Sequence, residues 1–337
     1  PNLKQYYNYT PDAVGIAQAI AARSQYPVNR QVLVSVLHKQ YAELNKHDKV
    51  IENIDRLADE NTYTICTAHQ PNLMTGYLYF IYKIMHAIKL ADELNTKYSD
   101  KHFVPVYYMG SEDNDLEELG TFRYNNLKYV WDAAEQTGAV GRMYTNSLKP
   151  LLDEVFKVLG PPGENLDVLK DILTQAYLQH QTIGDATQYL VNELFGRYGL
   201  VVLNPDEAEL KKQIVPILKD DLQNHMAYVL VNDHIETLEE QYKVQAYPRM
   251  INLFYLHNDI RERIEKRSGK WRVLNTEIEW NEEELMTELE THPERFSPNV
   301  ILRGIFQESI LPDVAFIGGG AEVAYWLELK PVFENYR

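Results

Sequence analysis

One cysteine, Cys66, is the whole thiol content of the chain. A single thiol can form no intrachain disulfide and no thiolate-rich metal site, so structural zinc held on cysteines is excluded. Cys66 lies in the strand-like run Tyr63-Thr64-Ile65-Cys66-Thr67, beside a candidate site loop where a nucleophile could act. Free cysteine is also among the most buried residue types, and a small apolar core side chain is the simpler reading. No apolar run approaches the roughly 18 residues a membrane span needs, and the start lacks a charged-then-apolar signal pattern. A cytoplasmic protein without a membrane partner is expected. Basic residues are in deficit, 33 against 49 acidic ones. A surface negative on average repels phosphate backbones, which argues against nucleic acid as the main partner. Neither a Walker lysine loop nor G-x-G-x-x-G occurs, and G-x-S-x-G and H-E-x-x-H are also missing, so the commonest phosphate-loop nucleotide folds, the serine elbow and the zincins lose support.

What is present is enough apolar and aromatic side chain, 45% of 337 residues with 24 Tyr, 10 Phe and 4 Trp, to bury one large domain or two. The chain begins at Pro1 without a methionine and stops at Arg337 directly after a helical pattern; a piece of a longer protein is expected. Residues 1–60 read as a helical lead-in, with Val32, Leu33, Val36, Leu37 and Tyr41 at helical spacing. Residues 62–67 read as a strand, 77–94 as a helix and 103–109 as a second strand, which together imply a parallel sheet whose ligands bind outside the strands' carboxyl ends. The fold class expected is α/β, with 61–144 as the first part of a core, 145–198 as a helical insertion, and 199–337 as the second part with small additions. Within that last part, 199–205 reads as a buried strand, with Pro205 and Asp206 opening a helix. Short strands are expected near 254–256, 271–274 and 277–280, a strand at 314–317, and a helix over 321–332. No repeat of 20–50 residues is visible.

Three polar constellations stand out. His69-Gln70-Pro71-Asn72-Leu73-Met74-Thr75-Gly76 joins a strand to a helix, where backbone N–H groups and the positive helix end suit phosphate or carboxylate. The alternative is a capping loop in which Thr75 or Asn72 satisfies helix N–H groups and His69 is solvated. Lys83, further along that helix, suits either a phosphate contact or an ordinary surface position. Glu112-Asp113-Asn114-Asp115 puts three carboxylates at a strand end, able to bind Mg²⁺, a ribose or an ammonium group, or simply to be a solvated turn. The third runs from Arg303, whose guanidinium fork fits a carboxylate or phosphate, to Gly318-Gly319-Gly320 ahead of a helix, a run that permits close backbone approach or a plain flexible connection.

Together these segments resemble the cysteine-adding enzymes of bacillithiol biosynthesis. That family carries a T-G-Q-Q-x-G-L-x-T-G-P-L-Y segment, matched here by Thr67, Gln70, Leu73, Thr75, Gly76, Leu78 and Tyr79. Its P-V-F-W-x-x-x-E-D-H-D strand end is matched by Pro105, Val106, Glu112, Asp113 and Asp115. Its late L-R-P-x-x-Q-E-x-x-L-P-x-x-A-Y-I-G-G-P-x-E-I-A-Y-W block is matched by Leu302, Arg303, Gln307, Glu308, Leu311, Pro312, Ala315, Ile317, Gly318, Gly319, Glu322, Ala324, Tyr325 and Trp326. The chain departs from the pattern at Ala68, Tyr77 and Asn114, the last standing where the family has the histidine of E-D-H-D. An acid–base role of that histidine does not transfer to Asn114.

The resemblance implies a nucleotidyltransferase-like Rossmann core with connecting insertions, and a coiled-coil dimerisation element beyond Arg337, hence a homodimer of the longer protein. It implies a ligase that joins cysteine to glucosamine-malate, with ATP or ADP bound and Mg²⁺ admitted. His69, Gln70, Thr75, Gly76, Gly318, Gly319 and Gly320 are the expected nucleotide contacts. Asn72, Glu112, Asp113, Asp115, Arg303, Gln307, Glu322 and Tyr325 are the expected substrate contacts, with no protein-held metal and no assigned catalytic acid or base. Other readings are a carboxylate-activating amide ligase of the pantothenate synthetase type and a non-catalytic nucleotide-binding scaffold.

Overall fold

The structure, a computed structural model, describes residues 2–336. Its first strand, β1 (Thr62–His69), is buried along nearly its full length, as expected of a β-branched and aromatic run covered on both faces. β2 (His102–Met109) pairs with it in parallel over eight residues, from Thr62 opposite His102 to His69 opposite Met109. The short hairpin β3 (Thr121–Tyr124) and β4 (Leu127–Val130) turns through Asn125 and Asn126, both left-handed, a backbone state that asparagine tolerates. β5 (Val201–Leu203) joins the outer side of β2. Then follow β6 (Leu253–His257), β7 (Ile260–Arg267), β8 (Lys270–Val273), β9 (Glu279–Trp280), β10 (Phe296–Pro298) and β11 (Asp313–Phe316).

The main sheet has the order β11-β1-β2-β5 with every pair parallel, so all four carboxyl ends lie along one edge. Helix Tyr79–Lys97 connects β1 to β2. It buries Phe80, Ile84, Ala87, Ile88, Ala91 and Leu94, a stripe at helical spacing laid on the sheet. The lead-in forms helices Ala13–Arg23, Arg30–Gln40 and Asp48–Arg56, the first capped by the Asp12 carboxylate accepting from Val14 and Gly15 N–H. Leu33, Val36, Leu37, Val50 and Ile54 join the core on one face of the sheet, while Ile20 packs with Tyr63, Ile65 and Phe103 in a separate cluster.

Helices Lys149–Val158, Glu164–Gln179 and Ile183–Phe195 build their own hydrophobic cluster with Trp131, Tyr129 and Val140, so the β3–β4 hairpin packs with these helices and not on the parallel sheet. The helix after β5 starts at Ala208, two residues later than Pro205-Asp206 predicts. The segment predicted as one helix over 321–332 is two, Gly320–Glu328 and Lys330–Asn335; Pro331, which lacks an N–H, sits in the first turn of the second, where none is needed. The largest difference from the sequence reading is an antiparallel sheet of order β10-β6-β7-β8-β9. Its longest strand, β7, reads Ile-Arg-Glu-Arg-Ile-Glu-Lys-Arg, and this charged alternation gave no strand signal. None of the helices among the described residues is long and apolar enough to cross a membrane.

Candidate active site

The loop after β1 is not the helix-capping turn that its polar residues suggest. Helix Tyr79–Lys97 begins with Leu78 at its cap and without a side-chain cap bond. Between them Met74, Thr75 and Gly76 all take positive φ, of 51°, 70° and 62°. Gly76 is required there on two counts, since its backbone is left-handed and a Cβ would stand 2.7 Å from Asn72 Cβ. Thr75 and Gly76 therefore stand three to four residues ahead of the helix, off its first turn. Met74 N–H donates to Tyr177 Oη at 2.8 Å, which ties the loop to the helical cluster.

His69 ends β1 and is buried, edge-on to Tyr79 and tilted against Phe80, at 5.2 Å from each ring. Burial, with the Lys83 charge behind it, pushes its pKa down to about 3, so the imidazole is neutral. His69 Nε2 and the Oδ1 of buried Asn72 have no hydrogen-bond partner among the described residues. Sequence reasoning allowed His69 a solvated position; the aromatic side chains of 79 and 80 cover it instead.

The turn after β2 is held from below: Val140 and Gly141 N–H donate to Asp113 O and Ser111 O at 2.7 and 2.8 Å. Its carboxylates divide. Asp113 accepts from Gln70 Nε2 at 3.1 Å and faces Arg303 at 3.5 Å, joining the ends of β1 and β2 to helix Val300–Ile310. Burial would raise its pKa, but Arg303 and then Arg261 outweigh it and leave Asp113 below the usual carboxylate value. Glu112 points the other way, into a short ion pair with fully buried Lys211. Lys211 also lies 3.3 Å from Asp206, which takes a bidentate bond from Arg142 at 2.6 and 2.7 Å. Asp115 caps the short helix Leu116–Leu119 through Glu118 N–H.

The third segment closes the edge. Ile317 N–H donates to Cys66 O at 2.7 Å and Thr67 Oγ1 to Ile317 O at 2.8 Å, so the glycine run leaves β11 pinned to β1. Gly318 is a packing glycine, because a Cβ there would sit 3.0–3.2 Å from Phe316, Glu322 and Val323, whereas open space surrounds the Cβ position of Gly320. Glu322 Oε2 accepts from Gly319 N–H at 2.6 Å and from Lys83 Nζ at 2.5 Å, and Lys83 donates again to Ala68 O. Lys83 is thus buried, neither at the surface nor free for a phosphate. Tyr325, beside Glu322 and Arg303, is held neutral by burial, its pKa pushed up to about 12.

The structure therefore brings together His69, Gln70, Asn72, Asp113, Arg303, Gly319, Glu322 and Tyr325 along one edge. Three expected substrate contacts are occupied elsewhere: Glu112 by Lys211, Asp115 by its helix cap, and Gln307, whose buried amide donates to Asp313 Oδ2 at the opposite, amino end of β11. Cys66 is fully buried, and burial raises its thiol pKa well above normal, which removes it as a nucleophile. Arg142, Asp206, Lys211 and Arg261 were missed. The first three are single charges in unremarkable helical or loop sequence. Arg261 occupies a β7 position facing apolar Leu256 across the ladder, a signal visible only once β7 is recognised as a strand.

A four-stranded parallel sheet with helical crossovers and a polar cluster at its carboxyl edge defines a Rossmann-like α/β protein. The family model "Bacillithiol biosynthesis BshC, N-terminal Rossmann-like domain" matches residues 1–337, and the chain belongs to this family. It is 44% identical over 334 residues to a Flavobacterium johnsoniae protein and 43% identical over 340 residues to one from Flavobacterium psychrophilum, covering 98% and 100% of this chain. A more distant relative from Bacillus cereus is 30% identical over 91% of the chain. All three carry the provisional name cysteine ligase BshC. The chain spans 63%, 64% and 59% of their respective lengths.

Proposed function

We propose that the protein is a ligase of bacillithiol biosynthesis that joins the carboxyl group of cysteine to the amine of glucosamine-malate, with a nucleotide activating the carboxylate. The observation that carries this reading is the contact chain Gln70–Asp113–Arg303, in which three segments far apart in sequence meet at the carboxyl edge of the sheet. Membership of the BshC family supports the choice of reaction.

Direct condensation of a carboxylate with an amine in water is unfavourable, and the nucleotide would supply the driving force. The residues at the sheet edge fit such a group in two respects: His69 Nε2 is buried and unpartnered, and the Gly320 backbone is open to close approach. His69, Gln70, Thr75, Gly76 and Gly318 to Gly320 would hold the nucleotide, with Mg²⁺ on its phosphates. Asn72, Asp113 and Tyr325 would orient polar groups of the two substrates, and Arg303 would meet a malate carboxylate. With Cys66 buried, no side-chain nucleophile is called for, and rate enhancement would come from positioning and charge stabilisation. The same reading makes the protein a cytoplasmic homodimer that acts on small molecules.

Mass spectrometry of the protein incubated with glucosamine-malate, cysteine, ATP and Mg²⁺, beside a reaction lacking ATP, tests this. An ATP-dependent cysteinyl product is expected. Product in both reactions would remove nucleotide activation; product only with other amines would indicate a ligase of different specificity, and none with any acceptor would indicate a binding protein.

A further inference from the structure

Arg261 was not foreseen in the sequence, and its surroundings are unusual for a charged group. The residue is 6% exposed, comes from the antiparallel sheet, and stands over the Phe254 ring with 3.9 Å between guanidinium carbon and ring centre. Its one hydrogen bond goes to a neutral acceptor, Asn114 Oδ1, at 3.0 Å, and its Nε–H has no partner among the described residues. The carboxylates near it are engaged by other cations: Asp113 faces Arg303, and Glu112 faces Lys211. Arg142, Lys211 and Arg303 each pair directly with Glu112, Asp113 or Asp206, whereas Arg261 has no ion pair of its own among the described residues. Burial and the Arg303 charge push the Arg261 pKa down to about 10, which still leaves the group charged at neutral pH.

A buried cation without a carboxylate of its own is costly in the free protein, and an incoming anion removes that cost. We propose that Arg261 and Arg303, one from the antiparallel sheet and one from helix Val300–Ile310, form a two-guanidinium seat for a carboxylate or phosphate group of a substrate. The Arg261 Nε–H and the fork of Arg303 are the donors, and Asp113 keeps Arg303 in place. The planar Arg261 fork, held over the Phe254 ring, is preorganised for two-oxygen recognition. The seat rests on the ligase reading only for the identity of its anion: a malate carboxylate of the acceptor or a nucleotide phosphate.

Titration calorimetry with L-malate and, separately, inorganic phosphate tests the seat without requiring turnover, so it stands or falls apart from the product assay. The protein is expected to bind at least one of the two. Saturation by malate assigns the seat to the acceptor, and saturation by phosphate alone assigns it to the nucleotide. Arg261→Gln is expected to weaken that binding tenfold or more, and Arg261→Lys to weaken it less, because charge is kept and the fork lost. Thermal melting separates binding from folding: unliganded Arg261→Gln should melt no lower than the parent, and the anion-induced rise in Tm should vanish. Asn114→Ala, at an exposed position, should bind the anion at least as tightly. Failure of both anions to bind the parent protein, unchanged affinity in Arg261→Gln, or loss of binding in Asn114→Ala would overturn the proposal.

Discussion

Lys83 and Glu322 meet at 2.5 Å across 239 residues of sequence, tying the helix after β1 to the helix after β11. The lysine is the more deeply buried partner, with 7% of its side chain exposed against 23% for the glutamate. Because Glu322 also accepts from Gly319 N–H, the pair fixes the glycine run as well as joining two helices. Lys83→Met leaves that carboxylate half-buried and unpaired, and is expected to lower unfolding free energy by roughly 3 kcal/mol. Denaturant unfolding of both single variants and the Lys83→Met/Glu322→Gln double variant checks this, the double variant regaining part of the loss.

Lys211 anchors a second ion network, with its ammonium fully buried between Glu112 and Asp206. Lys211→Met removes one cation and leaves Arg142 as the remaining direct partner of Asp206 and none for Glu112. A loss of about 3–5 kcal/mol is expected in the same unfolding assay. Glu112→Gln should cost less, because an amide oxygen still accepts from the lysine and Asp206 still balances its charge.

Gly76→Ala places a methyl group 2.7 Å from Asn72 Cβ on a left-handed backbone. Asn72 must shift, and with it the loop that carries Thr75. The substitution should cost on the order of 1–2 kcal/mol and weaken nucleotide or substrate binding by more than the stability loss alone explains, read by comparing calorimetric affinity with melting temperature.

Two buried groups act on stability with opposite signs of pH dependence. Burial raises Asp221 to about 7, despite bonds from Asn252 N–H and Nδ2, so the folded state holds a proton that the unfolded state releases near pH 4. Its contribution is full below that point and is lost as pH rises through about 7, a change on the order of a few kcal/mol. His69, lowered to about 3, works the other way: stability falls as pH drops below the ordinary histidine value of about 6.5. Asp221→Asn should flatten the fall in Tm between pH 5 and 8. The His69 ring resonances should show no titration over the same range by NMR.

The parts of the site that follow from local sequence were legible and the parts made by distant packing were not. Gln70 and Asp113 could be picked out because each lies in a polar run at the end of an apolar one, and the fold rule for parallel sheets says where such ends gather, whereas Arg303 lies between Leu302 and Gly304 within a helix and stood out by its guanidinium and the late family block. Glu112 and Asp115 looked equivalent to Asp113 in the sequence; which carboxylate meets Gln70 and Arg303 depends on Lys211, 99 residues away, and on a one-turn helix that needs a cap. His69 was legible as a residue but not as a buried neutral one, since its cover comes from the buried ring of Phe80 and the half-exposed ring of Tyr79. Arg261 was hidden in a strand whose charges mask its alternation. The helical lead-in and the main parallel strands, by contrast, follow from periodicity that tertiary contacts reinforce.

The pairing of β1 with β11 also bears on how the chain is made. Thr64, in β1, bonds to the side chain of Asp313, 249 residues further on, and until that segment leaves the ribosome one edge of β1 has no partner. Synthesis proceeds at roughly 5–20 residues per second, so this apolar edge waits on the order of tens of seconds before its neighbour exists. During that interval a nascent chain presents an unpaired strand of high β-propensity, the kind of surface that holdase chaperones cover and that promotes aggregation when they are scarce.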